Sequence, residues 1–201
     1  MAFINLKRKE IQLKIVYYGP SQGGKTTNLM YIYDNLKNQI QSKMITINTF
    51  GDRTLFFDFL PFNLGKINGY GIKVQLYTVP GQIKYNATRK LVLNGVDGIV
   101  FVADMHESKR KHNVFSLKNL HENLVGYKKS IFKLPLVFQF NKVDLATRGV
   151  PIISEGILTH DLNRQLKKPY YKASALTGEN VFNTLKLIIR NTCITVKDNL
   201  N

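Results

Sequence analysis

The stretch Gly19-Pro-Ser-Gln-Gly-Gly-Lys25-Thr26 fits the pattern G-x-x-x-x-G-K-[ST] without a gap, and few folds can host it. Ahead of it, Ile11-Gln-Leu-Lys-Ile-Val-Tyr-Tyr18 is rich in β-branched and aromatic residues and reads as a strand. Behind it, Thr27-Asn-Leu-Met-Tyr-Ile-Tyr33 begins a helical pattern free of Pro and Gly. In such a strand, loop and helix unit, backbone N–H groups wrap a chain of phosphates. Here they come from Gly19, Ser21, Gln22, Gly23 and Gly24 in the loop and from Thr26 and Thr27 at the helix start. Lys25 then reaches the β- and γ-phosphates, and the Thr26 hydroxyl ligates Mg²⁺. The expected ligand is a nucleotide.

Around this unit, apolar segments alternate with longer amphipathic ones. Strands are expected at 11–18, 43–49, 72–79, 97–103, 134–140 and 169–173, and helices at 25–38, 83–94, 107–126, 154–167 and 178–195. Val96-Asp-Gly-Ile-Val-Phe-Val-Ala103 and Leu134-Pro-Leu-Val-Phe-Gln-Phe140 are almost continuously apolar, as strands covered on both faces must be. Ile72-Lys-Val-Gln-Leu-Tyr-Thr78 alternates, which suits a strand nearer the sheet edge. In the last helix Val181, Leu185, Ile188, Ile189 and Thr192 recur at helical spacing and form a core face. The order predicts an α/β fold: a doubly wound, mostly parallel six-stranded sheet with helices on both faces and ligands at the carboxyl ends of its strands. Residues 1–201 read as one domain.

Composition narrows the setting. One cysteine, Cys193, excludes an internal disulfide and points to a reducing, cytoplasmic compartment. Its surroundings, Cys193-Ile-Thr-Val196, look like a prenylation box, but five residues follow it. Ala2 excludes myristoylation, no secretory signal is visible, and no apolar run approaches the roughly 20 residues of a membrane helix. Membrane association is therefore expected to be electrostatic or carried by a partner. The net charge of +16 invites a nucleic-acid reading, but the basic residues are spread along the chain and no nucleic-acid motif accompanies them. Adhesion to an anionic membrane surface stays open.

A phosphate loop does not choose its base. Asn141-Lys142-Val-Asp144 does so better, because it follows an apolar strand and falls on the same rim as the loop. A carboxylate at Asp144 can accept from both N1–H and the 2-amino group of guanine, a pair that adenine lacks. Asn141 and the aliphatic stem of Lys142 can frame the base. Ser174-Ala175-Leu176 follows the strand Pro169–Ala173 to that rim, where the Ala175 N–H can donate to guanine O6. With the wrong base these polar groups would go unpaired, which is how such a site discriminates.

Together these residues resemble the Ras-like small GTPases over nearly the whole chain. Thr49-Phe-Gly-Asp52-Arg53-Thr54-Leu-Phe-Phe-Asp58-Phe-Leu60 resembles the first switch, and Thr78-Val-Pro80-Gly81-Gln82 the second, where Asp-x-x-Gly-Gln is usual. The resemblance implies that Thr54 ligates Mg²⁺, that the Gly81 N–H contacts the γ-phosphate and that Gln82 orients the attacking water. Thr78 departs from the usual Asp. That departure, with Lys14-Ile-Val-Tyr-Tyr-Gly-Pro20 and Asp52-Arg-Thr-Leu-Phe-Phe-Asp-Phe-Leu-Pro61, is similar to the bacterial MglA group, small GTPases of cell polarity and gliding motility. From that group come five further implications. Arg53 acts as an arginine finger in cis, and Asp58 takes over the missing carboxylate's duty near Mg²⁺. A Roadblock-type homodimer, MglB-like, activates hydrolysis. Polarity or cytoskeletal effectors, and recruitment to the cell pole in the GTP state, complete the picture.

Ser21 stands where Ras-type loops usually carry Gly, and its side chain can crowd Gln82 and the water. The leading reading is thus a GTPase switch. The alternatives are a guanine-nucleotide-dependent scaffold with negligible hydrolysis and, more remotely, a small-molecule kinase, for which neither an acceptor site nor a lid is visible.

Overall fold

A computed structural model of the chain describes residues 3–5, 7–36, 44–48, 56–67 and 69–198. Its strands are β1 (Phe3–Asn5), β2 (Glu10–Tyr18), β3 (Ile45–Asn48), β4 (Phe56–Ile67), β5 (Tyr70–Thr78), β6 (Gly98–Asp104), β7 (Leu136–Asn141) and β8 (Tyr170–Ala173). The helices are α1 (Lys25–Leu36), α2 (Asn86–Leu93), α3 (Arg110–Val125), α4 (Asp144–Thr147), α5 (Glu155–Leu158) and α6 (Val181–Asp198). The strands lie in the order β3-β4-β5-β2-β6-β7-β8, with β1 added antiparallel to β2. Strands β5, β2, β6, β7 and β8 run parallel, and β4 pairs antiparallel with β5. The expected doubly wound, mostly parallel sheet is therefore present, its six-stranded centre running from β4 to β8.

The second strand of that centre is not the segment expected for it. The described residues of that segment, 44–48, supply the short outer strand β3, while β4 takes the place beside β5. Pro61 hid β4 in the sequence, since proline cannot donate to a ladder. It falls beyond the part of β4 that pairs with β3, where among the described residues the strand has a neighbour on one side only. β5 also differs from expectation. It lies inside the sheet, and its alternation reflects one thinly covered face, with Lys73 exposed between buried Ile72 and Val74.

The sheet divides two apolar layers, and consecutive residues of β2 serve both. Tyr18 joins Val92 and Leu93 of α2 and Leu120 and Leu124 of α3 on one side. Tyr17 joins Leu29 and Ile32 of α1 and Val181, Leu185 and Ile188 of α6 on the other. Every residue of β6 and β7 is buried, as their almost continuous apolar runs require. Gly98 opens β6 because α6 presses on it: a Cβ there would lie 2.3 Å from Thr192 Oγ1.

The helix expected over 154–167 is shorter and less regular. Ser154 Oγ caps α5 by accepting from Ile157 N–H, and a π-helical turn, Thr159–Asn163, follows. The Asn163 amide then closes on both backbone groups of Lys168 and stops the helix. Among the described residues no helix is long and apolar enough to cross a membrane. The turns that leave β2, β5, β6, β7 and β8 all open on one rim, where the carboxyl ends of the parallel strands meet.

Candidate nucleotide site

The phosphate loop bends from β2 into α1 under tight contact with its neighbours. A Cβ on Gly19 would sit 2.2 Å from the Val102 carbonyl oxygen, and one on Gly24, at φ +96°, 2.2 Å from Asn141 Nδ2. Only glycine fits either place. Lys25 is buried at the centre, its Nζ donating to the carbonyls of Pro20 at 2.6 Å and Gly19 at 3.3 Å. Burial brings its pKa down to about 7; Arg89 adds repulsion, while Asp58 and Asp104 oppose the fall. A buried ammonium held mainly by neutral carbonyls suits an arriving anion, so the loop fits a polyphosphate. Thr26 and Thr27 are exposed at the helix start, Ser21 is half-buried, and Gln22 accepts from Lys109 Nζ at 3.3 Å.

Beside the loop, three oxygen side chains converge. Asp58 Oδ2 accepts from Thr26 Oγ1 at 2.6 Å and from Thr78 Oγ1 at 2.8 Å, and the Asp58 N–H donates to Thr78 Oγ1 at 2.8 Å. Thr78, in the usual place of a carboxylate, thus holds a carboxylate that β4 supplies. One carboxylate with hydroxyl neighbours fits Mg²⁺, a hard cation that keeps several waters and takes its other ligands from phosphates.

The second switch packs directly on the loop. A Cβ on Gly81 would lie 2.3 Å from Ser21 Cα, and the Gly81 carbonyl accepts from Arg89 Nη1 at 3.0 Å. Arg89 is fully buried, and its described partners are neutral: Tyr18 OH at 2.9 Å, Ser116 Oγ at 3.0 Å and the face of the Tyr18 ring. Asn119 and Asn123 of α3 complete the shell around Tyr18 OH. Gln82 is exposed and extended at the start of a 3₁₀ turn, beside a cleft of about 650 Å³ that also touches Ser21, Lys109 and Phe115.

At the base end, Asn141 joins two turns. Its Nδ2 donates to the Gly23 carbonyl at 2.8 Å, and its Oδ1 accepts from the Ala175 N–H at 2.9 Å. The Ala175 N–H, expected to face guanine O6, is thus engaged by Asn141. Ser174 Oγ donates to Asp144 Oδ1 at 2.6 Å and orients that carboxylate. Lys142 adopts φ +76°, and its ammonium pairs with buried Asp104 at 2.6 Å, which directs its stem along the rim. Leu176 is exposed beside buried Ala175.

Of the residues named from sequence, those from Gly19 to Thr27, Gly81, Gln82, Asn141 to Asp144 and Ser174 to Leu176 lie on this rim. Arg53 and Thr54 fall outside the described residues. Sequence reading missed Arg89, Asp104 and Asn28, whose side chain links Gly24 to Gln139. Asp104 carried a signal, as an acid closing a wholly apolar strand. Arg89, within Asn86-Ala-Thr-Arg-Lys-Leu91, carried none.

Residues 14–194 match the sequence profile of the Ras family. The Mutual gliding-motility protein MglA of Myxococcus xanthus (strain DK1622) is 47% identical over 190 residues, covering 94% of this chain and 95% of that protein. The Ras-related protein RabC of Dictyostelium discoideum is 24% identical over 190 residues, covering 94% of this chain and 88% of that protein.

Proposed function

Because this chain belongs to the Ras family, as a GTP-hydrolysing protein of the MglA type, we propose that residues 1–201 work as one G domain that switches between GTP and GDP states. The observation that carries this reading is the contact between Gly81 and Ser21, which seats the second switch on the phosphate loop beside Lys25. A γ-phosphate arriving there meets both at once.

Each residue then has a defined part. Lys25 neutralises the β- and γ-phosphates, and the Gly81 N–H donates to the γ-phosphate while Arg89 holds the Gly81 carbonyl, in the peptide that follows. Gln82 orients the attacking water, and Arg53 meets the charge that develops on the transferred group. Thr26, Asp58 and Thr54 hold Mg²⁺, which when bound neutralises charge on the phosphate oxygens. Asp144 selects guanine beside Lys142, and Asn141, bonded to the Ala175 N–H, fixes the turn against which the base lies. Ser21 slows hydrolysis by crowding Gln82, so the GTP state lasts longer than with Gly at this position. A Roadblock-type homodimer accelerates turnover, and the switch controls polarity and gliding-type movement from the cytoplasm, a role that the name of the Myxococcus relative supports.

The test is single-turnover hydrolysis of GTP loaded with Mg²⁺, alone and with the Roadblock-type partner. Slow turnover that the partner accelerates is expected. Gln82→Leu and Arg53→Ala should keep GTP binding and lose the acceleration. Tight binding without turnover in either condition would overturn the switch reading.

A further inference from the structure

The rim just described uses the carboxyl ends of the parallel strands. At the opposite end, where those strands begin, the turns into β2, β7 and β8 are rich in lysine. Lys7, Arg8 and Lys9 form the exposed turn into β2. Between α3 and β7, Lys128 and Lys133 are exposed, and Lys129 Nζ donates to the Val96 carbonyl. Before β8, Lys167 is exposed and Lys168 Nζ donates to the Phe132 carbonyl at 2.7 Å. Contacts join these turns into one surface. The Lys9 carbonyl accepts from Gly71, Lys14 Nζ donates to the Asn94 carbonyl, and the Asp97 N–H donates to the Lys14 carbonyl.

Few acids oppose this charge. Glu10 is paired with Lys73 at 3.0 Å, and Asp97 is buried, accepting from Lys14 N–H. Glu122 lies nearly a turn back along α3, and Asp34 and Asp198 lie near the ends of α1 and α6. Backbone geometry adds a second observation. Lys9, Lys128 and Lys167 occupy left-handed positions, at φ 49°, 57° and 48°. Glycine or asparagine takes that conformation more readily, yet lysine fills it in three separate turns at the same end. Exposed apolar side chains stand among the cations: Leu91 on the last turn of α2, Val125 closing α3, and Phe132 before β7, each more than half exposed.

We propose that this end of the molecule is a docking face for an anionic lipid bilayer. The cations stand on separate turns across the width of the sheet, a spread that matches a plane of headgroups better than the narrow line of an acidic peptide. Lysines attract the headgroups while Phe132 and its apolar neighbours enter the interface. The nucleotide rim then points away from the surface, about 30 Å off across the nine residues of β2.

The test floats the full-length protein, loaded with GDP and Mg²⁺, on vesicles of phosphatidylcholine alone or with added phosphatidylserine. Flotation is expected only with phosphatidylserine and should fade as salt is raised. Lys128→Gln and Lys133→Gln should each lower the partition about fivefold. Phe132→Ser should lower it further, with GTP turnover unchanged in all three. The control pair Lys109→Gln and Lys111→Gln, which removes the same charge at the nucleotide end, should leave flotation intact. Equal loss in the control pair, flotation on pure phosphatidylcholine, or binding to polyglutamate in place of phosphatidylserine vesicles would each overturn the proposal. Turnover is read on portions of the same preparations loaded with GTP, so failure to dock is distinct from failure as a GTPase.

Discussion

Thr78 ends β5 with a hydroxyl that binds Asp58, and Asp58 in turn receives Thr26. Two strands therefore share a duty usually met by one side chain, and Asp58→Asn should expose it. Bound nucleotide should leave about 10- to 100-fold faster in Mg²⁺, the loss of one charge-assisted contact. Chelating the metal should then speed release little further. Fluorescent-GDP release with and without chelator reads both effects, and an unchanged response to chelator would remove Asp58 from the metal. Lys25 sets function against stability in a similar way. It is buried, and burial has lowered its pKa, so the empty fold bears the cost of a partly desolvated cation. Lys25→Met should abolish nucleotide binding yet leave the empty protein more stable by about 1 kcal/mol in urea unfolding. Arg89 behaves differently. A lysine in its place cannot reach Tyr18, Gly81 and Ser116 together, so Arg89→Lys should slow single turnover about tenfold or more while GDP affinity holds.

At the scale of elements, the legible parts were those whose pattern has one physical meaning. β6 and β7 are buried throughout and almost wholly apolar because helices cover both faces, and the face of α6 is spaced as a helix must be. β4 was not legible, since its aromatic run contains a proline that is harmless only where β3 has ended. The site divides in the same way. Gly81, Asn141 and Ala175 were named from motif spacing, whereas Arg89 and Asn28 were invisible, because a buried polar residue with neutral partners looks like any surface residue in a helix. Packing between elements offers a direct check. Gly98→Val would force α6 from β6 at Thr192 and Ile188, costing about 1–3 kcal/mol by urea unfolding. The substitution lies at the start of β6, so nucleotide affinity should persist.

The molecule as a whole is a sheet with two unlike ends, and its stability should report what occupies one of them. GDP with Mg²⁺ at about one hundred times its Kd should add about 2.7 kcal/mol, or roughly 5–10 °C in Tm. Asp144→Ala should lose most of that gain at the same ligand concentration, because Ser174 would have no carboxylate to orient against the base. The amide of Asn141 has a consequence for time rather than energy. It grips the phosphate turn at Gly23 and the base turn at Ala175 with the same side chain. Opening either turn strains a bond to the same side chain, so the two ends of a bound nucleotide should be released together, which stopped-flow release would read as a single phase. The nucleotide's residence should then be governed by a single opening event, with departures following one exponential, so that the switch keeps time by one clock.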